Sequence, residues 1–159
     1  MRPEQLQPVV EQLLVARRAR MENTQADVRR ERLHLASNSR RNRRLAAQLF
    51  ARELAIDLFE LDVDQVVSKQ AGETEKQLDA FFTAAEAAGA VLLIDEADAL
   101  LGRRTTVRDA HDRYANLDVN YLLQKLDSYA GIVVLTTNRG AHIDAACARN
   151  CECVELSDD

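Results

Sequence analysis

Apolar residues occur along the chain in two alternating patterns, short uninterrupted runs and helical spacing. Val91 to Ile94 and Ile132 to Leu135 are uninterrupted runs, which is typical of strands that helices cover on both faces. Between these runs, apolar residues recur every three to four positions over 73–88, which predicts an amphipathic helix that Gly89 ends. Strands that alternate with helices predict an α/β fold with a doubly wound, mostly parallel sheet sandwiched by helices.

The same two patterns predict the other elements and a division of the chain. Residues 1–32 are charged and carry an apolar stripe at helical spacing, which predicts a helix that packs on the core or binds a partner. We therefore expect an N-terminal helical segment at 1–32 and a core domain at 33–159. Further predicted elements are strands at 33–36, 58–63 and 154–156, helices at 45–54 and 114–126, and a polar, basic loop at 37–44.

Composition and charge narrow the class of protein. The chain has 159 residues, of which 47% are hydrophobic and 30% charged, as expected for one soluble globular domain. A net charge of −5 and an aromatic content of 4% argue against nucleic-acid binding. Because no apolar run approaches the length of a membrane span and no secretory signal is recognisable, we expect a cytoplasmic protein without membrane association.

Three cysteines lie near the C-terminus. Cys147, Cys151 and Cys153 form a cluster with His142, so four zinc ligands are conceivable. The paired Cys-x2-Cys spacing of common zinc sites is missing, however. Reduced thiols that pack as small apolar side chains are therefore the favoured interpretation.

Polar side chains follow both apolar runs directly. Asp95 and Glu96 come after the first run, and Asn138 comes at the end of the second strand. The carboxyl ends of parallel strands meet at one edge of the sheet, where open α/β folds bind ligands. An Asp there can hold Mg²⁺, and a neighbouring Glu can polarise an attacking water. Four apolar residues followed by Asp-Glu form the Walker B pattern of nucleotide hydrolases.

With these residues the sequence resembles the AAA+ ATPases, which have a P-loop NTPase core. The segments that carry the resemblance are Val66–Lys69, Gly72–Lys76, Leu93–Leu100, Arg108–Asn116 and Leu135–Asn138.

The resemblance implies ATP and Mg²⁺ as cofactors and assigns a role to four residues. Asp95 would be the Mg²⁺ carboxylate, Glu96 the base that activates water, and Asn138 the sensor-1 amide near the γ-phosphate. Arg149 would be the arginine finger that reaches a neighbouring subunit. The resemblance thereby implies a homo-oligomer or assembly with AAA+ partner subunits.

The chain departs from the family's pattern in the phosphate-binding loop. The glycine-rich Walker A sequence falls on residues 37–44, where the resemblance places Ser37, Asn38, Ser39, Arg43 and Arg44 around the nucleotide phosphates. None of these eight residues is a glycine, although the loop needs glycines to wrap the phosphates with backbone N–H groups. The lysine and threonine of the pattern are replaced by arginines.

Two further departures lie elsewhere in the chain. Gln70 replaces the aromatic residue with which related remodelling proteins grip a threaded polypeptide. The helical lid would follow Glu155, where only four residues remain, so the core domain is expected to be truncated.

Three functions follow from these observations. The first is an AAA+ ATPase core that binds and hydrolyses ATP to remodel or assemble a macromolecular partner. The second is a pseudo-ATPase that acts as a scaffold or regulatory subunit. The third is a module whose basic loop, with Arg40, Arg41, Arg43 and Arg44, binds nucleic acid or an acidic partner.

The altered loop has a possible genetic origin as well. Residues 37–44 lack the likeness to the family, whereas the segments on both sides of them retain it. This pattern also fits a stretch of the gene that is read in another frame. The nucleotide sequence tests this hypothesis, because it requires codons that read as a glycine-rich loop in another frame.

Overall fold

The computed structural model describes residues 3–22, 31–62, 73–98, 119–141 and 152–156. The elements within these ranges are α1 (Pro3–Glu22), β1 (Glu31–Ala36), α2 (Arg40–Glu53), β2 (Leu58–Glu60), α3 (Glu73–Ala88), β3 (Val91–Ile94), α4 (Val119–Ser128), β4 (Ile132–Thr137) and β5 (Glu152–Glu155). Helices and strands alternate along the chain from α1 to β4.

The five strands form one sheet in the order β2-β3-β4-β1-β5, and every pair of neighbours is parallel. In register, Val134 of β4 lies between Leu93 of β3 and Leu33 of β1. The prediction of an α/β fold with a doubly wound parallel sheet is therefore confirmed. The three central strands, β3, β4 and β1, bring the ends of three distant segments to one edge.

Two hydrophobic cores lie on opposite faces of the sheet. Val91 and Leu93 of β3 belong to the core under α1 and α2, whereas Leu92 and Ile94 belong to the core under α3 and α4. All four side chains are fully buried. Since consecutive strand residues point to opposite faces, burial on both faces explains why β3 is an uninterrupted apolar run.

Helix α1 packs into the same core as the sheet. Its buried residues Leu6, Val9, Val10 and Leu13 share a cluster with Phe50 of α2. This packing explains the apolar stripe in the N-terminal segment. The division of the chain at residue 33 stays a prediction.

The predicted basic loop is wrong over residues 40–44, because α2 begins at Arg40. Ser39 is the N-cap, and its Oγ accepts a hydrogen bond of 3.3 Å from the backbone N–H of Asn42. A serine cap followed by arginines, which are good helix formers, favours an early helix start.

Other element bounds differ by one to three residues. Strand β1 begins at Glu31, β2 ends at Glu60, and β5 covers Glu152–Glu155. Helix α4 is described from Val119, so the predicted residues 114–118 lie outside the described ranges. Gly89, with φ of 60°, follows the last residue of α3, in agreement with its predicted capping role.

Cys153 is the one cysteine that the structure describes, and it is free, as predicted. The prediction that it packs as a buried apolar side chain is wrong, because Cys153 is exposed. Cys147, Cys151 and His142 lie outside the described residues.

Membrane spanning needs a helix that is both long and apolar. None of the helices within the described ranges meets that requirement.

Candidate functional site

The carboxyl ends of β1, β4 and β3 bring the predicted site residues together. Ser37 follows β1, Asn138 follows β4, and Asp95 follows β3. Helix α2 begins beside this edge, and three residues connect it to the end of β1. The sheet order thus unites residues that are about 40 to 100 positions apart in the sequence, as expected for parallel strands.

Arg43 joins these three strand ends through its guanidinium group. Its Nε donates to Oδ1 of Asp95 at 3.0 Å, and its Nη1 donates to the backbone oxygen of Ser37 at 2.6 Å. Nη1 also donates to Oδ1 of Asn138 at 2.9 Å. Arg43 is only 1% exposed. The guanidinium therefore lies inside the edge of the sheet rather than in solvent.

Asp95 is bonded through both of its carboxylate oxygens. Oδ1 accepts from Thr136 Oγ1 at 2.5 Å in addition to Arg43, and Oδ2 accepts from Nε of Arg40 at 2.9 Å. Burial by itself would raise the pKa of Asp95. The hydrogen bonds from Thr136, Arg43 and Arg40 and the charge of Arg43 outweigh burial and lower the pKa of Asp95. The carboxylate is therefore held in its ionised form.

The serine and asparagine residues of the predicted phosphate loop support local structure. Ser37 Oγ accepts from the N–H of Ser39 at 3.1 Å, and Ser39 itself caps α2. Asn38 Oδ1 accepts from the N–H of Arg139 at 3.0 Å. These contacts fix the path of the chain from β1 to α2 and tie it to the turn after β4.

The arginines of the segment mostly form ion pairs within the chain. Arg40 and Arg43 pair with Asp95, and Nη2 of Arg44 lies 2.6 Å from Oε2 of Glu60. Arg41 is exposed. Three of the four arginines are therefore paired with carboxylates of the chain itself, which counts against the predicted role of this loop in binding nucleic acid or an acidic partner.

Glu96 has a backbone conformation that non-glycine residues rarely adopt. Its φ is 57°, in the left-handed region. Residues held in such a backbone conformation cost free energy, and they cluster at functional sites. The sequence predicted the location of Glu96 but not this strain. The other residue predicted to act in catalysis, Arg149, lies outside the described residues.

Sequence reasoning missed the roles of Thr136 and Arg40 at Asp95. A signal was present for each of them. Thr136 lies two positions before Asn138, and residues two apart on a strand point to the same face. Arg40 lies three positions before Arg43, which places the two on neighbouring turns of one helix face.

Comparison with known proteins identifies the family. The sequence model of the ATPase family associated with various cellular activities (AAA) matches residues 44–156, which is more than half of the chain. The chain belongs to the AAA family of ATPases. The matched region begins at Arg44 and therefore includes Asp95, Glu96 and Asn138.

Curated AAA relatives are similar over about two thirds of this chain. An uncharacterised AAA family ATPase, y4kL, of Sinorhizobium fredii is 34% identical over 104 residues, covering 64% of this chain and 31% of its own length. ATP-dependent zinc metalloprotease FtsH 3 of Sphaerobacter thermophilus is 33% identical over 110 residues, which are 66% of this chain and 22% of the relative. The chain thus spans less than a third of the length of these relatives.

A solved structure shares the fold. A chain in the structure of the E. coli MS115-1 HORMA:CdnC:Trip13 complex superposes with a TM-score of 0.61 and 24% identity. The match covers 98% of this chain and 60% of that chain. At this level of identity the likeness supports the AAA fold alone.

AAA ATPases generally bind ATP with Mg²⁺, but the described residues at this edge do not fit that pair. The resemblance assigns Mg²⁺ to Asp95, whose two oxygens already accept hydrogen bonds from Arg40, Arg43 and Thr136. Asn138 Oδ1 is bonded to Arg43 as well. Within the described part of the chain, no group of three or more His, Cys, Asp or Glu side chains is placed to hold a metal ion.

Proposed function

We propose that this chain is an AAA domain that acts as a scaffold or regulatory subunit and does not turn over ATP. One observation carries the proposal. The buried guanidinium of Arg43 is bonded to Asp95 and Asn138, the two residues that the family resemblance assigns to Mg²⁺ and to the γ-phosphate. The chain's own cation takes up the groups that a nucleotide would need.

The energetics of the ion pair support this proposal. A nucleotide that reached Asp95 would have to displace Arg43, whose side chain is 2% exposed. Breaking the contacts of Arg43 costs about 1–3 kcal/mol, because Asp95 keeps its bonds to Arg40 and Thr136. Such a cost weakens nucleotide binding by roughly 5- to 100-fold, because each 1.4 kcal/mol is a factor of ten. Phosphoryl transfer also depends on a positioned phosphate cradle, and residues 37–44 contain no glycine to form one.

The role as a subunit follows from what the chain retains. The described residues keep the parallel sheet and both hydrophobic cores, and the family match runs over 44–156. AAA proteins typically oligomerise, so we propose assembly into a homo-oligomer or with other AAA subunits. In such an assembly the chain contributes a fixed surface rather than a cycle of nucleotide states.

Calorimetric titration with MgATP tests the proposal. We expect no binding in the micromolar range by the wild type. The variant Arg41→Ala, which removes an exposed arginine from the same helix turn, serves as a matched control and should behave like the wild type. Light scattering after size exclusion should give the same mass with and without MgATP.

Two results would contradict the proposal. One is micromolar affinity for MgATP. The other is an ATPase signal that disappears in Glu96→Gln, because such a signal belongs to the protein and not to a contaminant.

ATP hydrolysis coupled to remodelling of a partner is the competing function. The strained backbone of Glu96 favours it, since φ of 57° at a carboxylate that ends a strand is a feature of working sites. For hydrolysis to occur, Arg43 would have to leave Asp95, so the same titration separates the two functions.

A further inference from the structure

We infer that Ser37 O, Asp95 Oδ1 and Asn138 Oδ1 form a guanidinium-binding site, which the chain fills with its own Arg43. This inference deepens the proposed function, because it names the chemical class of the group that replaces the nucleotide. We call these three oxygens the acceptor site. They come from the ends of three neighbouring strands, β1, β3 and β4.

The geometry of the acceptor site matches a planar fork of donors. Nε of Arg43 meets one acceptor at 3.0 Å, and Nη1 meets the other two at 2.6 and 2.9 Å. A guanidinium group presents its N–H donors in fixed directions within one plane. A lysine ammonium is a compact point charge and cannot place donors at both nitrogen positions at once.

The charge of the acceptor site also suits a single monovalent cation. Asp95 supplies one negative charge, and the other two acceptors are a backbone carbonyl and an amide oxygen. The remaining oxygen of Asp95 pairs with Arg40, whose side chain is 59% exposed. The buried cation therefore has one close carboxylate partner, which satisfies the requirement that a buried charge be paired and hydrogen-bonded.

The position of Arg43 on α2 explains why the guanidinium comes from the same chain. Arg43 lies on α2 only four residues after its N-cap Ser39, so the helix start holds the guanidinium over the acceptor site. The contact is intramolecular, and no second molecule has to be ordered for it to form. This edge of the sheet can thereby assemble without a nucleotide.

Chemical rescue of a truncated variant tests the inference. Arg43→Ala leaves the acceptor site without its cation, and we expect its melting temperature to fall by about 4–12 °C. Millimolar guanidinium chloride, below denaturing concentration, should restore part of this loss. Equal concentrations of sodium chloride and of urea should not restore it. Guanidinium should not raise the melting temperature of the wild type or of Arg41→Ala, which keep Arg43.

Two outcomes of the rescue experiment would overturn the inference. In one, guanidinium and sodium chloride affect folded Arg43→Ala equally. In the other, MgCl₂ rescues the variant and guanidinium does not, which would make the acceptor site a metal site.

A second measurement applies if Arg43→Ala does not fold. In the wild type, the Nε–H proton of Arg43 should give a slowly exchanging NMR signal, and Asn138→Ala should speed its exchange. Exchange as fast as that of Arg41 in the wild type would overturn the inference.

The test of the proposed function remains separate from this one. Micromolar MgATP binding would contradict the proposed function even if guanidinium rescues Arg43→Ala. Failure of rescue in a folded variant would overturn the acceptor site even if the wild type does not bind MgATP.

Discussion

Removal of Asp95 should be far more damaging than removal of its buried partner. In Asp95→Ala the guanidinium of Arg43 stays buried, with its side chain 2% exposed and with only two neutral acceptors. Leaving one charge of a buried pair uncompensated costs about 3–5 kcal/mol. In Arg43→Met the carboxylate of Asp95 keeps its bonds to Arg40 and Thr136, so we expect a loss of about 1–3 kcal/mol.

The double variant Asp95→Ala/Arg43→Met provides the decisive comparison. It removes both buried charges and leaves a methionine that can fill the space of the arginine stem. We expect it to be more stable than Asp95→Ala alone. The two substitutions should therefore be non-additive, with a coupling free energy that exceeds the loss caused by Arg43→Met alone.

Urea unfolding, followed by far-ultraviolet circular dichroism at neutral pH, measures the free energy of unfolding of the wild type, the two single variants and the double variant. Arg41→Met, at an exposed site two positions before Arg43, is the matched control and should change the free energy of unfolding by less than about 0.5 kcal/mol. The reasoning is refuted if the two single losses add within about 0.5 kcal/mol. A loss below about 1 kcal/mol for Asp95→Ala would refute it as well.

Three further predictions concern pH and the half-buried Arg32. The pKa of Asp95 is lowered in the folded protein, so the ionised carboxylate stabilises the fold fully above the unfolded pKa of about 3.9. This stabilisation is lost as the pH falls through the folded pKa. Acid titration should therefore bring the free energies of unfolding of the wild type and Asp95→Asn closer together. Burial lowers the pKa of His34, so His34 takes up a proton in the unfolded chain before it does so in the folded protein as the pH falls. The free energy of unfolding should therefore fall from pH 7 to 5 less steeply in His34→Gln than in the wild type. A steeper fall in His34→Gln would contradict this sign. Arg32 donates to backbone carbonyls at the end of α4 and in the turn before β4, so Arg32→Ala should lower the free energy of unfolding by about 1–3 kcal/mol, whereas Arg18→Ala, at an exposed site, should have little effect in the same urea assay.

The fold could be predicted largely because burial on both faces leaves a strong mark in the sequence. Strand β3 was predicted at 91–94 and helix α3 at 73–88, and the structure has these bounds. The start of α2 was missed because arginines next to serines and an asparagine suggest a loop. The capping contact of Ser39 is a local signal that the sequence contains, whereas the ion pairs of Arg40 and Arg43 with Asp95 depend on tertiary structure.

The candidate site could be predicted in part. Asp95 and Asn138 were expected at one edge of the sheet because parallel strands end there, and the structure places both within hydrogen-bond distance of one guanidinium. The insertion of Arg43 between them could not be read from the sequence. Whether an arginine points into the protein or into solvent depends on the depth of its helix turn and on the partners there, which residue spacing does not specify.

The central position of β1 has a consequence for synthesis of the protein. Strand β1 is synthesised before the other described strands, and its partners among them are β4 and β5, whose residues follow roughly a hundred positions later. In contrast, β2, α3 and β3 form a nearly local unit that can pair as soon as residue 94 has emerged. A nascent chain therefore carries Leu33 and Leu35 of β1 unpaired until roughly a hundred further residues have been made, and this is the interval in which it most needs protection from aggregation.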